Sequence, residues 1–134
     1  MAFEWRDEFS VQVKEIDDQH KNLIQISEKL YDGLYKDMSK DDLNAILTEL
    51  MDFAKLHFQT EEKYFDMFDF EHALEHKKEH ELFEQKLKSM FGVGSDQHIE
   101  ASFELIDFLE DWLLDHLEKK DQEYVKCFKE HGLK

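Results

Sequence analysis

Apolar residues recur along this chain at three- and four-residue intervals in four separate runs. Leu23, Ile26, Leu30 and Leu34 form the first, after Asp17 and Asp18. Leu43, Ile46, Leu47, Leu50, Phe53 and Ala54 form the second, after Ser39-Lys40-Asp41-Asp42, a stretch of the kind that caps a helix start. Phe83, Leu87, Met90 and Phe91 close a third, which stops at Gly92-Val93-Gly94, and Ile99, Phe103, Ile106, Leu109 and Leu113 carry the fourth. Such spacing gathers side chains on one face of an α-helix. There is no proline, glycine occurs only four times, and strand-type alternation is absent, so little interrupts the helical pattern. The runs predict helices near 18–37, 41–65, 71–91 and 96–118, the last continuing with an irregularity to about 130.

Connections this short favour antiparallel neighbours. The expected fold is therefore all-α: an antiparallel up-down-up-down four-helix bundle with an N-terminal arm and a C-terminal helical extension. Phe3, Trp5, Phe9, Val11 and Val13 give the arm apolar residues with which to cover an open flank. No repeat or low-complexity tract divides the chain, and residues 1–134 are expected to form a single domain.

Composition narrows the partners. The net charge of −16 over 134 residues disfavours nucleic acid and anionic lipid surfaces. No apolar stretch approaches the ~20 residues of a membrane span, and the first eight residues do not read as a signal peptide. The lone Cys127 cannot form an internal disulfide. A cytoplasmic monomer is the expected state. Twelve Phe point to a core rich in aromatic rings.

The chemistry lies where core residues give way to polar ones. The second stripe runs on into His57 and Glu61, the third helix opens with His76 and His80, and each pair is one turn apart. His20 opens the first helix on the side of Leu23 and Leu30. His116 lies on the stripe of Leu109 and Leu113, with Asp121 five residues on. Any one of these has an ordinary structural explanation. In an up-down bundle, however, the start of the first helix, the end of the second, the start of the third and the end of the fourth meet at one pole. Five imidazoles and two carboxylates then share one buried layer, at a cost of several kcal/mol for each unsatisfied group. Bound metal offsets that cost. His98 falls at the opposite pole, His131 lies ~15 Å beyond Asp121, and His72 leans away; all three are expected at the surface.

Imidazole with carboxylate suits iron, zinc, manganese or copper. Seven ligands are too many for one four-coordinate zinc. Two ions with both carboxylates bridging accommodate them better. If His76, His80 and His116 serve one ion and His20 and His57 the other, the second keeps a vacant position for a small ligand. His116 and Asp121 are about 140° apart on a regular helix, so their joint use predicts a local π-type widening.

With these residues in view, the chain resembles the hemerythrin family, in particular its single-domain bacterial members. The matching segments are Ile16-Asp17-Asp18-Gln19-His20-Lys21-Asn22-Leu23, His57-Phe58-Gln59-Thr60-Glu61, His76-Lys77-Lys78-Glu79-His80-Glu81-Leu82-Phe83, and Trp112-Leu113-Leu114-Asp115-His116 followed by Asp121 and Tyr124. The resemblance spans Trp5 to Phe128. It implies two iron ions in an oxo- or hydroxo-bridged non-haem centre, with the ligand partition above. It also implies end-on binding of dioxygen at the open ion, which leaves again as dioxygen; the formal charge of the centre is unchanged by the uptake. Leu23, Phe58, Trp112 and Leu113 correspond to an oxygen pocket, whose apolar bulk would exclude water. Oxygen carriage, storage or delivery to an oxygen-consuming enzyme follows as the expected function, rather than enzymatic turnover.

Two enzymes and a sensor compete with that reading. Di-iron carboxylate oxidases and peroxidases use Glu-x-x-His pairs, and no Glu here is followed three residues later by His. His76-Lys77-Lys78-Glu79-His80 matches a zinc-peptidase pattern, but so does the overlapping His72-Ala73-Leu74-Glu75-His76, which makes the match uninformative. An oxygen sensor ordinarily needs an output domain, for which this chain has no room.

Overall fold

The fold is described from a computed structural model covering residues 4–91 and 97–134. Phe3 and the Gly92-Val93-Gly94 helix stop lie outside the described residues. A 3-10 turn at Asp7–Phe9 precedes α1 (Lys14–Leu34), α2 (Lys40–Phe68), α3 (Ala73–Met90) and α4 (His98–Trp112). A π-helical segment, Leu113–Lys120, then leads through a 3-10 turn, Asp121–Tyr124, into α5 (Val125–Glu130). The chain is an all-α four-helix bundle, with no strand among the described residues. Among those residues no helix is long and apolar enough to cross a membrane.

Local chemistry sets the helix ends. Ser39 and Asp42 form a reciprocal capping box at 3.1 Å in each direction and start α2 where the sequence predicts. Helix α1 begins four residues earlier than the apolar run implies. Asp17 accepts from the Val11 backbone N–H at 2.8 Å and from the Ser10 hydroxyl at 2.6 Å, which ties the arm to the helix's first turns. Helix α2 runs past 65 to Phe68, where Asp69 takes the left-handed conformation (φ 53°) and the Phe70 N–H reaches back to the Phe65 carbonyl at 3.0 Å. On α4 the core stripe is Ala101, Ser102, Leu105, Ile106 and Leu109. Ile99 and Phe103 are exposed, contrary to the sequence reading. Ser102 fits the stripe because its hydroxyl donates to the His98 carbonyl at 2.7 Å and is not left unsatisfied.

Two apolar clusters fill the interior. The larger holds Leu23, Leu30, Leu47, Leu50, Phe58, Phe83, Leu87, Leu105, Leu109 and Leu113. The smaller is built of Val11 and Val13 from the arm, Ile16, Phe65, Phe70, and Tyr124 and Phe128 from the C-terminal extension. The arm therefore closes one pole as well as a flank. Trp5 and Phe9 pack on the larger cluster and Val11 and Val13 belong to the smaller, while the Gln122 side-chain amide donates to the Ser10 carbonyl at 3.1 Å and holds arm and extension together. On every helix the polar candidates fall between these clusters: His20 between Ile16 and Leu23, His57 and Glu61 between Ala54 and Phe65, His76 and His80 between Phe70 and Phe83, His116 and Asp121 between Leu113 and Tyr124.

Candidate metal centre

His20, His57, Glu61, His76, His80, His116 and Asp121 are all buried, each no more than 2% exposed. The structure brings the seven into one layer. Every imidazole turns its Nε2 inward. His20 Nε2 lies 2.9 Å from His57 Nε2 and 3.2 Å from Asp121 Oδ2. His76 and His116 approach the other Asp121 oxygen, Oδ1, at 3.4 and 2.9 Å. Glu61 Oε1 sits 3.3 Å from His57 Nε2 and 3.0 Å from His80 Nε2. Three ligand-type groupings result: His20, His57, Glu61 and Asp121; Glu61, His80 and His116; and His76, His116 and Asp121. Each carboxylate thus touches histidines from both halves of the layer.

The π segment makes this possible. Its Asp121 N–H bonds to the His116 carbonyl, an i to i+5 link that brings the two side chains to the same side. The widening predicted from their spacing is present over Leu113–Lys120.

Hydrogen bonds on the outer faces of the rings fix which nitrogen faces inward. His80 Nδ1 donates to Glu62 Oε2 and His116 Nδ1 to Glu79 Oε2, both at 3.0 Å. For His57 the partner is Gln19. The Thr60 hydroxyl donates to the Leu56 carbonyl at 2.8 Å, so it must accept from Gln19 Nε2 at 3.1 Å. The Gln19 oxygen therefore faces His57 Nδ1 at 2.8 Å and accepts its proton. With Nδ1 so engaged, each of these rings turns Nε2 into the layer, and presents a bare lone pair there whenever it is neutral.

There the lone pairs meet carboxylate oxygens. His76, His80 and His116 Nε2, Glu61 Oε1 and both Asp121 oxygens are buried and take no aligned hydrogen bond, although they lie 2.9–3.4 Å apart. Such acceptor-to-acceptor contacts are repulsive unless a positive charge stands between them. Protons are one source. Burial opposes charge on His116, yet Asp121 and Glu79 outweigh it and hold the ring up to about 10. Burial likewise opposes ionisation of Asp121, and the His116, His20 and His76 rings override it and hold the carboxyl well below its ordinary range. Metal cations are the other source, and they suit a set of five nitrogens and two carboxylates.

Tyr124 completes the layer from below. Its hydroxyl donates to Glu61 Oε2 at 2.5 Å. Burial, then Asp121 and Glu61, push its phenol well above the ordinary value, so it stays a donor. Helical periodicity does not mark Gln19, Glu62 or Glu79 as part of the site, and it gives Tyr124 no role there. The available signal was an acid or amide immediately beside a histidine or carboxylate of the set.

The four apolar candidates also adjoin the layer. The Phe58 ring stacks on His80 at 3.9 Å between centroids, and Trp112 stacks on His116 at 4.0 Å. Leu23 and Leu113 are buried in the larger cluster, one turn or less from His20 and His116. The excluded histidines stand apart. His131 is exposed and stacks on Phe68, and His72 is half-buried between Glu71 and Glu75. His98 is half-buried rather than free at the surface, its Nε2 donating to the Met38 carbonyl at 3.0 Å.

Comparison with known proteins points to one family. Residues 11–128 match the family model described as the hemerythrin HHE cation binding domain. A bacteriohemerythrin of Clostridium acetobutylicum is 32% identical over 130 residues, covering 92% of this chain and 98% of that protein. A hemerythrin-like protein of Naegleria gruberi is 30% identical over 122 residues, 91% of this chain and 90% of its own. A bacteriohemerythrin of Pseudomonas aeruginosa is 28% identical over 124 residues, 90% of this chain and 78% of its own.

Proposed function

This chain belongs to the hemerythrin family, and on that footing we propose that it binds dioxygen reversibly at a pair of iron ions held between its helices. His76, His80 and His116 would hold one ion and His20 and His57 the other, with Glu61 and Asp121 available to both. The observation that carries this reading is the set of buried nitrogen and oxygen lone pairs that face one another at 2.9–3.4 Å without hydrogen bonds. The way Asp121 is shared supports the partition: it turns one oxygen to His20 and the other to His76 and His116.

Bound there in its reduced state, an iron pair would supply the redox chemistry that reversible dioxygen uptake needs. The chain's own residues do the rest. Glu62, Glu79 and Gln19 orient three of the rings by holding their Nδ1 protons. Tyr124 holds Glu61 from below. Phe58, Trp112, Leu23 and Leu113 wall the layer on the side of the larger cluster and keep water from it, which favours release of intact dioxygen over loss of a reduced oxygen species. Binding rather than turnover, as a carrier, store or delivery protein, is the function these features support.

The test is to measure iron per chain and then record the visible spectrum through repeated cycles of oxygen and argon. Two irons with a charge-transfer band that comes and goes are expected. Bleaching that does not recover on the first cycle would favour an oxidase, and iron-free protein would end the reading.

A further inference from the structure

The rings of the layer are not backed alike. Behind His80 and His116 stand the carboxylates of Glu62 and Glu79, each at 3.0 Å, and Glu79 also lies 3.5 Å from Lys120. Behind His57 stands the neutral amide oxygen of Gln19. His20 Nδ1 is buried and has no hydrogen-bond partner among the described residues. Among the described residues, negative backing therefore falls on two of the three rings in the half formed by His76, His80 and His116, and on neither ring in the half formed by His20 and His57.

A carboxylate that accepts an Nδ1 proton draws it away from the ring and makes Nε2 a stronger electron donor; an amide does so much less. A stronger donor favours the more highly charged state of a bound ion. We propose that Glu62, Glu79 and Gln19 make the two metal positions redox-unequal, so that an iron facing His76, His80 and His116 is oxidised first and one facing His20 and His57 is kept ferrous by its neutral backing. Gln19 is the positioning residue that sets the difference. It is held for that role at both ends of its amide, by Thr60 and by His57. This rests on the di-iron reading given above.

The experiment uses iron-loaded full-length protein under argon and hexacyanoferrate(III) as the oxidant. Each hexacyanoferrate(III) accepts one electron from one Fe(II), giving hexacyanoferrate(II) and Fe(III). Wild type is expected to bind two irons and to oxidise in two separated one-electron steps, with one ferrous and one ferric site in the Mössbauer spectrum after the first. Gln19→Glu should make the second step about tenfold easier in equilibrium terms, about 59 mV for one electron, and leave the first nearly unmoved. Glu79→Gln and Glu62→Gln should each make the first step harder by a similar factor. Both changes narrow the separation. Retention of two irons and of the helical circular dichroism shows that a variant is folded and loaded. Loaded variants whose steps do not move, or a Gln19→Glu protein whose first step moves as far as its second, would overturn the inference while leaving the di-iron reading intact. Wild type that takes up no iron pair would overturn both, which separates the two failures.

Discussion

Replacing Tyr124 by Phe removes one hydroxyl from the floor of the polar layer and leaves the ring. That ring packs against Phe128 at 4.4 Å and Phe65 at 5.5 Å between centroids, contacts that Phe reproduces. What is lost is the 2.5 Å hydrogen bond to Glu61 Oε2, made inside the protein with both partners fully buried. Hydrogen bonds to charged groups contribute about 1.5–3 kcal/mol, and the carboxylate oxygen left behind has no water to turn to. Tyr124→Phe should therefore destabilise the fold by about 2 kcal/mol. For a chain of this length that lowers the melting temperature by about 4 °C per kcal/mol. Urea denaturation of metal-stripped protein gives the stability change directly, and an unchanged slope would show that the unfolding reaction is the same. The sharper measurement is the double-mutant cycle with Glu61→Gln. If the bond owes its strength to the carboxylate charge, Tyr124→Phe should cost at least ~1 kcal/mol less in the Glu61→Gln background. Equal costs in the two backgrounds, or a cost below ~0.5 kcal/mol in the parent, would refute the reasoning.

Other perturbations test other parts of the structure. Removing the metal with a chelator should lower stability by several kcal/mol, because an ion that binds only the folded chain stabilises it by mass action; a thermal scan that does not change on chelation would count against a resident metal. Ser39→Ala removes one half of the capping box and should cost about 1 kcal/mol without altering iron content, as read by thermal unfolding alongside metal analysis. Trp112→Ala or Leu113→Ala opens the wall beside His116 and should speed autoxidation severalfold, followed as decay of the oxygenated visible band; an unchanged rate would remove these side chains from the water-excluding wall.

Much of this was legible in the sequence, for a definable reason. The helices announce themselves through three- and four-residue spacing, and the convergence of His20, His57, Glu61, His76, His80, His116 and Asp121 follows once short connections make neighbours antiparallel. Even the π segment is foreshadowed by the five-residue gap from His116 to Asp121. What periodicity cannot resolve is a residue at the edge of a stripe. Gln19, Glu62 and Glu79 each sit one position from a residue of the layer and read as solvated helix surface, yet all three turn inward far enough to reach an imidazole. Ile99 and Phe103 fail in the opposite sense: their apolarity suggested burial, and the stripe passes one position to the side, through Ala101, Ser102 and Leu105. The early start of α1 was hidden because it depends on Asp17 reaching back to Ser10 and Val11, a contact with no period.

The placement of the layer between two greasy slabs bears on how long an occupant stays. Val11, Val13, Phe70, Tyr124 and Phe128 seal one side, drawn from segments at the two ends of the sequence and from the turn after α2. An ion held in the layer would leave through that side only when the seal parts. Local opening of that side would then contribute to residence time alongside the bonds to nitrogen and oxygen, and loosening the seal should shorten it while every ligand remains in place.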